Sequence, residues 1–266
     1  MIKSGFGNKK GGVGKSTSAI NLSAVAAKKG FKALLVDLDP QGCCTTSLGI
    51  DELSIKNNFM LEDYAATRMF YEKVPPSKLV IDSQFGFDII PAGTDLMTLE
   101  QYIPTVPNGD SLLLRVFSAD KDLDYDFIFF DTPGFLGHIV SSVINVTGDI
   151  IIPNLATPGS TRSLIDVLEM LEEMNEFRAS FPGMDPINIR GHFFCRSETN
   201  TKIHKEQDAE VVEILGEKHL PDCFISKTTE VAKSEAACKP IVCMLPNHKV
   251  SLEYERLFDA LFKEVL

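Results

Sequence analysis

The stretch Lys9-Lys10-Gly11-Gly12-Val13-Gly14-Lys15-Ser16-Thr17 decides how this chain is read. Before it, Ile2 to Phe6 forms a short apolar run that reads as a strand. After it, Ser16 to Lys29 reads as an Ala-rich helix that Gly30 ends. A glycine-rich turn between a strand and a helix is the setting in which such a string binds phosphate. Glycines at positions 11, 12 and 14 let the backbone curl so that successive N–H groups face inward as an anion nest, and the dipole of the following helix adds to it. Lys15 then supplies a charge to the β- and γ-phosphates of a nucleotide. Ser16 is placed to give its hydroxyl to Mg²⁺, and Thr17 to touch the α-phosphate.

Working outward, Phe31 to Val36 is a continuous apolar run closed by Asp37, the pattern of a parallel strand covered on both faces. We expect it beside the first strand. Further runs at Phe87 to Ile90, Phe127 to Phe130, Ile150 to Ile152 and Ile189 to Cys195 alternate with helix-like stretches, notably Ser160 to Phe181 and Lys202 to Lys218. This alternation predicts an α/β fold with a doubly wound, mainly parallel sheet and helices on both faces. No repeat, low-complexity tract or linker divides the chain, so one domain over residues 1–266 is expected. Asp51 to Ser83 yields no readable topology.

Two acidic segments fall at strand ends, where open α/β sheets bind their ligands. Asp37-Leu38-Asp39-Pro40-Gln41-Gly42 follows the second strand, and a carboxylate there can orient an attacking water. Phe127 to Phe130 ends in Asp131-Thr132-Pro133-Gly134, an apolar strand whose terminal carboxylate suits Mg²⁺.

The net charge of −11 argues against nucleic acid wrapping the whole surface. Charge is nevertheless uneven: residues 1–50 carry seven lysines against two acidic groups, and residues 51–135 carry six basic against fifteen acidic groups. Any basic patch must be local. The six cysteines, at 43, 44, 195, 223, 238 and 243, include no C-x-x-C pair, so reduced and mostly buried thiols are expected, without a zinc site or disulfide framework. No apolar stretch is long enough for a membrane span and no signal-peptide layout opens the chain, which predicts a soluble, cytoplasmic protein.

The usual phosphate loop is G-x-x-x-x-G-K-[ST], but Lys9 stands where its first glycine would be, followed by Lys10. Here the chain resembles the deviant Walker A (ParA/MinD) superfamily, whose motif K-G-G-x-G-K-[ST] is met by Lys10 to Ser16. The resemblance implies a P-loop ATPase with ATP and Mg²⁺ as ligands. Lys10 would be the signature lysine that reaches the partner subunit's nucleotide in an ATP-sandwich dimer, delivering a cation in trans to the transferred phosphoryl group. Asp37 to Gly42 resembles the family's second motif, which makes Asp39 the catalytic carboxylate, beside Lys10 and Lys15, and Asp37 its support. Phe127 to Gly134 has the form of a Walker B segment with Asp131 facing the metal, although Gly134 departs from the family's D-x-P-P.

Gly86 to Gly93, Gly148 to Pro153 and Lys239-Pro240-Ile241 look like segments of the ParA/Soj partition branch. By the same resemblance Arg196 lies near the base or bound DNA. Lys202, Lys205, Lys227 and Lys233 become candidates for sequence-independent DNA contacts in the ATP-bound homodimer. A ParB-like or adaptor protein would stimulate hydrolysis, and the ATP-bound form would be nucleoid-associated. MinD relatives instead end in a membrane-targeting helix. Ser251 to Leu266 places Leu252, Leu257, Phe258, Leu261, Phe262 and Val265 at amphipathic spacing, but Glu253, Glu255, Asp259 and Glu264 give it the wrong charge for anionic lipid. It is therefore expected to pack on the core, with no membrane partner. A third class, the nitrogenase reductase kind, requires a shared [4Fe-4S] cluster that these cysteine positions do not suggest.

Overall fold

The computed structural model describes residues 1–51, 57, 59–180, 185–199 and 201–265. Within them, β1 (Ile2–Phe6), β2 (Ala33–Asp37), β3 (Ile81–Asp82), β4 (Asp88–Ile90), β5 (Phe127–Asp131), β6 (Asp149–Leu155) and β7 (Asn188–Cys195) form one sheet in the order β3-β4-β2-β5-β1-β6-β7. Neighbours pair in parallel except β3 with β4. The doubly wound, mainly parallel sheet is as expected. One neighbour relation is not: β5 lies between β1 and β2, pairing Phe127 with Ile2 on one side and with Ala33 on the other. A continuous apolar run shows that a strand is interior, but it does not name the strands beside it.

Alternation along β5 divides the core between the two faces of the sheet. Phe127 and Phe129 join the cluster formed with Leu22 and Val25 of α1 (Lys15–Lys28) and with Phe258 and Phe262 at the end of the chain. Ile128 and Phe130 turn the other way, to Leu34, Val36, Leu113, Ile139 and Val143. The first face is strongly aromatic. Phe127 meets the rings of Phe258 and Phe262 edge-on, with centroids 5.2 and 5.0 Å apart. Each such buried ring contributes roughly 1.5–3 kcal/mol through area alone.

Those rings come from the C-terminal helix (Lys249–Leu261) and from Phe262, the residue that follows it; the helix packs on the core as expected, though with a different stripe. Val250, Tyr254, Leu257, Phe258, Leu261 and Phe262 are buried, whereas Leu252 and Val265 are exposed. At 100° per residue, Leu252 falls on the face opposite Val250 and Tyr254. Glu253 is buried too, and its carboxylate accepts bonds from Ser226 N (2.7 Å) and Ser226 Oγ (2.6 Å). Among the described residues no helix is long and apolar enough to cross a membrane.

The two long predicted helices span Ser160–Ala179 and Lys202–Leu215, the second followed by a 3₁₀ turn at Gly216–Lys218. Phe181 lies outside the described residues, as do 52–56 and 58 of the segment that yielded no topology. The rest of that segment holds short helical turns at Leu61–Tyr64, Arg68–Tyr71 and Pro76–Lys78 before the antiparallel edge strand β3.

Candidate active site

The sheet order reverses around β1, whose chain leaves through α1 toward β2 while β6 lies on its other side. Ligands of open α/β sheets bind at such a switch point. Here an open cleft of about 530 Å³ is lined by Gly11, Gly12, Gly14, Lys15, Ser16, Thr17, Asp39, Gly134, Arg196 and Glu235, among others. Thus the phosphate loop, the Asp39 turn, the Gly134 loop and Arg196 line one cleft. Val13 does not join them; it is fully buried, so only its backbone serves the loop.

Asn8, buried just ahead of the loop, sets its path. Its Nδ2 donates to Pro153 O (2.8 Å), its Oδ1 accepts from Lys10 N (2.8 Å), and its carbonyl accepts from Lys15 Nζ (3.3 Å). Lys15 is buried, which lowers its pKa, while the charges of Asp131 and Asp39 oppose that shift. Lys10 behaves differently. Its Nζ reaches over the loop after β6 and donates to Thr157 Oγ1 (3.0 Å). Lys9 forms a surface pair with Asp166 (3.2 Å).

The three carboxylates have separate environments. Asp37 is fully buried and lies outside the cleft lining; its Oδ2 accepts from Thr45 N and Thr45 Oγ1 (both 2.8 Å), and its Oδ1 from Asp39 N (3.2 Å). It thereby ties the end of β2 to α2 (Cys43–Ser47). Asp39 is half-buried, lines the cleft and closes a turn by accepting from Gln41 N (2.9 Å). Asp131, fully buried, accepts hydrogen bonds from Ser16 and from Cys44 Sγ (3.2 Å). Burial pushes both Asp37 and Asp131 upward; the facing Asp131 charge adds to the shift at Asp37, and the Ser16 and Cys44 bonds oppose it at Asp131.

Asp37, Cys44 and Asp131 bring ligand atoms within 4.8 Å of one another, and Asp131 Oδ1 is buried with no hydrogen-bond partner. An orphaned oxygen on a buried carboxylate, with the Ser16 hydroxyl beside that carboxylate, is a donor set that fits a hard cation. The cysteine spacing gave no sign of this trio, because Cys44 reaches it through the fold.

Arg196 follows β7 in the left-handed region (φ 50°), exposed, and among the described residues it forms no ion pair. The candidate DNA lysines are exposed, but three are matched with glutamates: Lys202 with Glu206 (3.3 Å), Lys227 with Glu198 (2.7 Å) and Lys233 with Glu230 (2.6 Å). The expectation of mostly buried thiols fails. Only Cys44 and Cys195 are buried, while Cys43 and Cys243 are exposed; all six are free. Position decides burial here: Cys195 ends β7 within the core, whereas Cys43 opens α2 and lines the cleft.

Glu235 and Asn8 escaped the sequence reading. Glu235 accepts from Thr17 Oγ1 (2.9 Å) across 218 positions of chain, a distance no local pattern spans. Asn8 could have been found as a polar residue between strand and glycine loop.

Comparison with known proteins shows the family. A family model described as an AAA domain matches residues 3–181. The chromosome-partitioning ATPase Soj of Treponema pallidum is 30% identical over 253 residues, covering 95% of this chain and 93% of its own. Two solved structures share the fold: a putative plasmid partition protein from Borrelia burgdorferi bound to AMPPNP (TM-score 0.83, 23% identity, 99% of each chain) and apo McdA from Cyanothece (TM-score 0.81, 20% identity, 98% of this chain and 99% of that one). With the motif order, the sheet order and these relatives in agreement, the chain belongs to the Soj/ParA family of P-loop ATPases within the ParA/MinD superfamily.

Proposed function

We propose that this protein is a ParA-type positioning ATPase acting as one domain over residues 1–266. Mg-ATP joins two copies into a sandwich dimer, the dimer holds nonspecific DNA, and hydrolysis stimulated by a ParB-like or adaptor protein releases it. The observation that carries the reading is Lys10. Its amine is turned away from its own cleft, to Thr157, while its backbone opens the phosphate loop, as suits a cation meant for a neighbouring nucleotide.

In this reading the amides of residues 11–14 and Lys15 bind the β- and γ-phosphates, and Thr17 binds the α-phosphate. Ser16 and Asp131 would hold Mg²⁺, which when bound offsets phosphate charge. Asp39, at the cleft wall, orients the attacking water, with Asp37 fixing its loop through Asp39 N. Lys10 of the partner subunit stabilises charge on the transferred group. The Borrelia neighbour with its AMPPNP and the Soj relative support the ligand class and the partition role. The cargo is a plasmid, a chromosome origin or a protein assembly carried on the nucleoid.

A DNA-binding titration with ATP, ADP or no nucleotide, at several salt concentrations, tests the proposal. Binding should need ATP and weaken steeply with salt. Equal binding in all three nucleotide states would overturn it.

A further inference from the structure

The nucleotide cleft has two distinguishable ends. Gly134 marks one: a Cβ there would sit 3.5 Å from Gly11 Cα and 3.8 Å from Lys15 Nζ, so this wall faces the terminal phosphates. Thr17 marks the other, and the side chain that meets Thr17 is Glu235, from the helix Thr229–Ala236. A carboxylate beside a phosphate site is repelled by any phosphate it faces, so Glu235 must address a part of the ligand that donates hydrogen bonds. Oε1 is engaged by the Thr17 hydroxyl, while Oε2 accepts no hydrogen bond from the described residues, and the side chain is exposed to the cleft. Beyond the α-phosphate of a ribonucleoside triphosphate, the first donors are the vicinal 2′- and 3′-hydroxyls of the ribose.

Resting on the ATP reading above, we infer that Glu235 recognises the ribose diol and makes the site selective for ribonucleotides over deoxyribonucleotides. The Thr17 hydroxyl fixes the carboxylate and leaves the Thr17 backbone N–H for the α-phosphate, so that recognition of the sugar and of the α-phosphate is mechanically joined. Arg196, exposed on the same cleft, supplies a planar cation suited to stacking on the base, which leaves the sugar to Glu235.

The test is calorimetric titration of the full chain, wild type, Glu235→Ala and Glu235→Gln, with Mg-ATP, Mg-2′-deoxyATP, Mg-3′-deoxyATP and Mg-ITP. Wild type should bind ATP about 10-fold or more tightly than either deoxy form, as for a lost hydrogen bond to a charged group. In Glu235→Ala the affinity for ATP should fall toward that for the deoxy forms, leaving a ratio within about twofold. Glu235→Gln, which keeps an acceptor oxygen without the charge, should fall between. Using the ratio guards against a general loss of folded protein. An unchanged ratio in Glu235→Ala, or no discrimination in wild type, would overturn the inference, as would a change confined to the ATP-to-ITP ratio, which would assign Glu235 to the base. Failure of wild type to bind any Mg-nucleotide would instead overturn the ATP reading itself.

Discussion

Gly14 stands where the phosphate loop becomes α1, in the left-handed region at φ 92°, with a Cβ position only 2.9 Å from Cys195 Sγ and 3.3 Å from its Cβ. Gly14→Ala therefore meets both backbone strain, roughly 1–2 kcal/mol, and a collision with the end of β7. It should lower the melting temperature and abolish Mg-ATP binding by calorimetry; a variant that melts and binds like wild type would rule out this loop geometry. Asp39→Ala removes a carboxylate whose side-chain hydrogen bond, among the described residues, closes its own turn, so nucleotide affinity and fold should persist while turnover drops by about 10²-fold or more. Lys10→Ala gives up one hydrogen bond, to Thr157, and should bind ATP as a monomer yet fail to dimerise or hydrolyse normally, read by light scattering beside phosphate release. Residues 10–17 were legible because the glycine spacing and the two lysines that mark the loop lie within eight consecutive positions. Thr157 and Glu235 were not, since they reach the loop from 147 and 218 positions away.

Elements carry the loops into place, and the helix His138–Thr147 is the one that follows the Asp131 loop. Its first amides are held from outside: Glu100, on the helix Leu96–Tyr102, accepts from His138 N (2.8 Å) and Ile139 N (2.9 Å). Gly137 permits the approach, because a Cβ there would lie 2.6 Å from Glu100 Oε2. A carboxylate at a helix N-terminus serves both as cap and as charge partner of the dipole. Glu100→Ala should thus cost about 1–2 kcal/mol, measured by urea unfolding, and Gly137→Ala should cost at least as much. If Glu100→Ala leaves the urea midpoint unchanged, the cap does not bear on stability. At this scale the sequence told strand from helix well, since apolar runs and Ala-rich stretches are local. It misplaced β2 beside β1 and put Leu252 on the buried stripe, because sheet order and the facing surface are decided by what packs against an element.

For the molecule as a whole, stability must also respond to groups that function leaves unused. His192 is fully buried on β7, with Nδ1 3.0 Å from Nδ1 of His219, whose Nε2 meets Asp208 Oδ1 at 2.8 Å. Burial, followed by the neighbouring His219, pushes His192 down to about 3, whereas the unfolded chain restores an ordinary value near 6.5. Below that value the unfolded chain binds a proton that the native protein refuses. Stability is therefore full above about pH 6.5 and declines as pH falls, by about 1.4 kcal/mol per unit from this group alone, until the folded value is reached. Over pH 6.5 to 5 that amounts to roughly 2 kcal/mol. Other groups contribute slopes of their own, so the informative quantity is the difference between wild type and His192→Gln in denaturant titrations across this range. The variant should lose less stability on acidification, and the two curves should run parallel above pH 7. Parallel curves throughout would mean that the native protein accepts a proton at His192, and that the buried pair with His219 opens before the fold does.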